Sequence, residues 1–119
     1  MKAAARSALA LAALAAIATA GDDGAWPVAG RQGIIRVVIV PPGQERDRDA
    51  YVRQIERLCA GQETCFLNFY GNSTGAPVTV PLPDAIAHEA TAVLRRSAKQ
   101  GTEGLRFACR LNTGDDFCF

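Results

Sequence analysis

The sequence is short of the residues that most chemistry needs. It has one histidine, His88, and no H-E-x-x-H or C-x-x-C pattern and no nucleotide-binding motif. That excludes the usual paired-histidine metal sites and dithiol redox centres. Lysine is nearly missing: Lys2 and Lys99 are the only two, and the remaining basic residues are arginine. Arginine over lysine, with abundant alanine, points to a GC-rich bacterial source. Acidic and basic residues almost balance, so there is no cationic excess of the kind that binds nucleic acid or an anionic membrane.

The first twenty residues read as an export signal. Lys2 and Arg6 give a positive start, Ser7–Ile17 is an apolar run, and Ala18-Thr19-Ala20 supplies small residues for cleavage. The run is shorter than the roughly 20 residues a membrane helix needs. Cleavage after Ala20 leaves residues 21–119 and, by removing Lys2 and Arg6, turns the formal charge from +1 to −1. No cysteine follows the cut for lipid attachment. The expected location is the periplasm or the medium, with no membrane insertion after cleavage and no cofactor.

Four cysteines, Cys59, Cys65, Cys109 and Cys118, all follow the signal. An even number in a small exported chain reads as a disulfide framework. Three connectivities exist; Cys59–Cys65 and Cys109–Cys118 are favoured because each closes a short loop. Zinc would require tighter pairs or added histidines.

Residues 21–33, rich in glycine, read as a flexible leader, with Trp26 packing on the body. Ile34–Val40 is a β-branched run suited to a strand buried on both faces. Asp47–Ala60 reads as a helix capped by Asp47, stopped by Gly61 and buried along Val52, Ile55, Leu58 and Cys59. Thr64–Tyr70 alternates as a strand, with Cys65, Leu67 and Phe69 on one side. Val78–Val80 is a candidate third strand crowded by Pro77, Pro81 and Pro83. Asp84–Lys99 reads as a second helix along Ile86, Ala90, Val93, Leu94 and Ser97. Leu105–Leu111 reads as a last strand. The domain is therefore 34–119, an α+β fold with a two-layer α/β sandwich in the order β-α-β-(β)-α-β. With the bracketed strand present this is the ferredoxin-like pattern; Pro81 argues instead for an edge strand or a loop.

The block PLPDAIAHEATAVLRRS, followed by RFACR and a cysteine near the end, resembles small exported bacterial proteins to which no activity is attached. The resemblance covers about the last third of the chain and implies no catalytic or binding residue.

Two groups of candidate binding residues remain. Tyr70, Asn72, Ser73 and Thr74 form a turn-prone connector that also matches the N-glycosylation pattern. Arg95, Arg96, Arg106 and Arg110, with Lys99, form a basic end suited to an anion or an acidic partner. No catalytic residue and no metal ligand is assigned. His88 and Glu89 are adjacent, about 100° apart on a helix, and do not pair by themselves. The expected function is an exported, disulfide-stapled accessory protein that binds an envelope or extracellular macromolecule, with a protein of the cell envelope as the expected partner. A structural envelope component and a small hydrolase using His88 are the other two readings.

Overall fold

The computed structural model describes residues 24–97, 99 and 102–119; the expected signal lies outside them. Five strands form one mixed sheet in chain order: β1 (Val28–Gln32), β2 (Ile35–Ile39), β3 (Thr64–Tyr70), β4 (Ala90–Ser97) and β5 (Thr102–Phe107). β2 and β3 run parallel; the other neighbouring pairs are antiparallel. Helix α1 (Arg48–Leu58) links the parallel pair, a short helix α2 (Asp84–Ala87) precedes β4, and a 3-10 turn (Cys109–Leu111) follows β5.

Helix α1 starts and stops as its residues dictate. The Asp47 carboxylate accepts from the Ala50 N–H at 3.1 Å, satisfying a donor that has no partner within the helix. Gly61, at φ 69°, turns the chain away two residues past the Cys59 cap. The buried side is Ala50, Tyr51, Gln54 and Ile55, whereas the expected Val52 is 44 % exposed. The helix is therefore rotated from the expected stripe, because Tyr51 offers the larger apolar surface to the sheet.

Against α1 the sheet turns Val38, Leu67, Phe69, Leu94 and Phe107, which share one core with Trp26, Tyr51 and Ile55. Tyr51 is the hub. Its ring meets Trp26, Phe69 and Phe107 edge to face, at centroid distances of 5.1, 5.1 and 4.9 Å. Burial pushes the Tyr51 phenol up to about 12. Its hydroxyl lies 2.8 Å from the Glu45 carbonyl and 2.9 Å from Thr91 Oγ1, either of which can accept its proton, and Thr91 Oγ1 in turn donates to the Phe69 carbonyl at 3.3 Å.

On the other face Val37 and Ile39 are buried too, as expected for a strand covered on both sides. The proline-rich connector contributes to that cover. A Cβ on Gly30, which pairs with Val37, would lie 2.8 Å from Val80 Cγ2. Val78–Val80 is thus an extended loop laid over the sheet, not a strand within it, and its Val80–Pro81 bond is cis.

Three further expectations are corrected. The leader is not loose throughout: residues 28–32 form β1, turned into β2 by Gly33-Ile34 with Gly33 at φ 67°, the pattern of a type II′ hairpin. Trp26, 4 % exposed, is locked ahead of it, since Gln54 accepts from the Trp26 N–H at 2.8 Å and donates to the Gly24 carbonyl at 2.7 Å. The second helix stops at Ala87, and residues 90–97 are strand β4, paired on both sides by β3 and β5. The order is therefore β-β-α-β-α-β-β. Since β2 and β3 are direct neighbours, no strand is inserted between them as the ferredoxin-like arrangement requires. The last strand ends at Phe107, because Cys109 leaves the sheet to pair with the C-terminal tail through Cys118 and through its N–H to the Phe119 carbonyl.

The disulfides are Cys59–Cys65 and Cys109–Cys118, and no cysteine is left free. The first ties the end of α1 to the start of β3. Two disulfides fit an oxidising compartment. Among the described residues no helix is long and apolar enough to cross a membrane.

Candidate functional site

At the carboxyl ends of the parallel strands β2 and β3 the chain opens into a cleft of about 650 Å³. This end of a strand–helix–strand unit is where α/β sheets commonly hold ligands. Four separate segments build it: Gly43–Arg46 after β2, Gly71 and Ser73 after β3, His88–Thr91 leading into β4, and Arg110-Leu111 after β5.

Each polar side chain has a traceable position. Glu89 follows α2, and its carbonyl accepts from the Gly71 N–H at 2.9 Å. Its carboxylate accepts from the Ser73 hydroxyl at 2.6 Å and from the Ser73 N–H at 2.9 and 3.1 Å. The Ser73 hydroxyl bond, then the backbone bond, hold the Glu89 carboxyl below its ordinary range, and the nearby Arg110 charge adds to this. Glu45 accepts from the Gly43 N–H at 2.9 Å. A Cβ at position 71 would lie 3.1 Å from Glu89 Oε1, a tight approach, and 3.9 Å from Glu45 Oε2, an ordinary contact, so the two carboxylates flank Gly71 and a side chain there would press on Glu89. Arg110 is anchored by one bond from Nη2 to the Ala90 carbonyl at 2.8 Å. Arg46, exposed, also lines the cleft, and its side chain has no partner among the described residues. The buried floor is Thr91 and Leu111.

The expected binding residues separate. Ser73 and Arg110 come together in the cleft, joined by His88. Asn72 is a pin of its loop: its amide donates to the Ala76 carbonyl at 2.9 Å and accepts from the Ala76 N–H at 3.1 Å. Thr74 is exposed and does not line the cleft, and Tyr70 is half-buried on the sheet. The basic end is not one patch. Arg95 lies on the face away from α1, over the Phe66 ring at 5.3 Å, donating to Asn68 Oδ1 at 2.9 Å and to two carbonyls. Arg106 donates to the Phe117 carbonyl at 2.7 Å, and strand alternation turns Arg96 to the α1 side. A helix over 84–99 would have gathered these residues at one end; a strand distributes them to opposite faces.

His88 is exposed, and the Ser73 hydroxyl is spent on Glu89, so no Ser–His pair forms. Among the described residues no group of three or more His, Cys, Asp or Glu side chains is placed to hold a metal ion. Sequence reading missed Glu45, Arg46, Gly71 and Thr91. The available signal was Pro41-Pro42-Gly43, a strand stop that places the next residues at the carboxyl end of β2. Comparison with known protein families, curated proteins and solved structures returns no match, so no function comes to this chain by similarity.

Proposed function

We propose that this is an exported binding protein, acting in the periplasm or outside the cell, that engages a protein of the cell envelope through the cleft at the carboxyl ends of β2 and β3. One observation carries the reading. Four segments far apart in sequence converge on one open cleft, and they bring guanidinium and carboxylate groups there together with two of the residues expected to bind. The walls are fixed by hydrogen bonds within the fold and by the Cys109–Cys118 bridge next to Arg110, so little ordering remains to be done on association.

The test is affinity capture from an envelope fraction of the source organism with the oxidised protein. Arg110→Glu alters the cleft, and Glu56→Lys alters the exposed side of α1 as a control. The wild type and Glu56→Lys should enrich the same protein, and Arg110→Glu should lose it. Enrichment that survives Arg110→Glu, or none above background with the wild type, counts against the proposal.

A further inference from the structure

We infer that the cleft recognises an acidic side chain, Asp or Glu, carried by a segment of its protein partner; this rests on the cleft being the binding site. Hydrogen-bond bookkeeping decides the ligand. The backbone N–H groups of Gly43, Gly71 and Ser73 are all spent inside the fold, on Glu45, on the Glu89 carbonyl and on the Glu89 carboxylate. A chain-terminal carboxylate held by a nest of backbone N–H groups finds no free donors among these three.

The donors that remain are guanidiniums. Arg46 has no partner among the described residues, and Arg110 commits one nitrogen to the Ala90 carbonyl. A guanidinium presents paired N–H groups that match the two oxygens of a carboxylate. Two arginines favour an anion, while Glu45 and Glu89 at the same cleft limit its charge. Arg46 and Arg110 are offset by Glu45 and Glu89, so the cleft has no net formal charge; a phosphate dianion is disfavoured more than a single carboxylate, which can pair locally with a guanidinium fork. The Ser73 bonds keep Glu89 ionised, so it stays a fixed negative charge and does not share a proton with the incoming acid.

The probe is the tripeptide Ac-Ala-Glu-Ala-NH2, titrated into the oxidised protein and followed by amide NMR shifts. Comparison probes are Ac-Ala-Gln-Ala-NH2, Ac-Ala-Ala-Ala with a free terminal carboxylate, and inorganic phosphate. The glutamate peptide should move the amide signals of Gly43, Gly71, Ser73 and Leu111, with the glutamine peptide about tenfold weaker, as expected for loss of charge-assisted bonds. Arg46→Gln and Arg110→Gln should each weaken binding by about the same factor while the rest of the spectrum stays put. Equal binding of the glutamine peptide, equal or tighter binding of the free terminus or phosphate, or no shifts at the cleft would overturn the inference. If capture depends on Arg110 but the glutamate peptide does not bind, the choice of ligand fails and the binding site stands. If the peptide binds but nothing is captured, the ligand stands and the proposed envelope partner falls.

Discussion

Replacing Gln54 with leucine should detach the segment that carries Trp26. The Gln54 amide is buried and makes two bonds to backbone, to the Trp26 N–H and to the Gly24 carbonyl. Leucine is of similar size and keeps the contact with the core but makes neither bond. The Gly24 end is exposed and can turn to water. The Trp26 N–H lies behind a buried indole, and an unpaired buried donor costs about 1–3 kcal/mol. A central value of about 2 kcal/mol lowers Tm by about 8–10 °C in a domain of this length. The assay is urea unfolding followed by tryptophan fluorescence, which reports this site alone because Trp26 is the only tryptophan. The midpoint should fall, and the native-state emission should shift to the red as the indole gains solvent. Gln54→Glu separates the two bonds. It keeps an acceptor for the Trp26 N–H but sets a carboxylate against the Gly24 carbonyl, so it should be weak at pH 7 and recover in acid, where the protonated acid can donate. A leucine variant within about 0.5 kcal/mol of wild type, the usual spread for surface changes, with unchanged native emission would refute the clamp.

Three further outcomes follow from the same structure. Replacing both Cys59 and Cys65 with serine should cost about 2–3 kcal/mol by loop entropy, read as a lower urea midpoint in the oxidised protein. Tyr51→Phe keeps the edge-to-face contacts but removes the donor to the Glu45 carbonyl and the bond to Thr91, whose hydroxyl keeps the Phe69 carbonyl, so it should cost about 1–2 kcal/mol; Thr91→Val combined with it should cost less than the sum, as a double-mutant cycle would show. The Glu89 carboxyl is held low, so its contribution is present above the ordinary glutamate range and is lost as pH falls through the depressed folded value. Glu89→Gln should therefore lower Tm at pH 7 and converge with wild type in acid, and Ser73→Ala should reduce the difference at neutral pH.

Some elements were legible from local chemistry. Asp47 and Gly61 bracket α1, and Cys65, Leu67 and Phe69 alternate along β3, because capping, left-handed glycine and the two-residue period act within a few residues. Residues 90–97 were ambiguous. Ala90, Val93, Leu94 and Ser97 fit a helical stripe, while Ala92 and Leu94 fit the core side of a strand. The alanine, leucine and arginine content favours a helix, yet β3 had an unpaired edge there, and hydrogen bonding to both β3 and β5 outweighed the propensity. In the same way the glycines of residues 21–33 read as a flexible leader, although Gly33 was the signal for a tight hairpin.

What the sequence determined by itself is local: the helix with its caps and the strand at 64–70, each set by groups close along the chain; it favoured the two short-loop disulfides among three connectivities, and the fold selects them. Only the tertiary structure decided the cleft. Glu45 and Glu89 flank Gly71, and Arg110 stands near, because the carboxyl ends of β2, β3 and β5 and the start of β4 meet at one end of the sheet. That meeting depends on strand order and on the direction of pairing. Those are properties of long-range hydrogen bonding and burial, and no local pattern of residues encodes them.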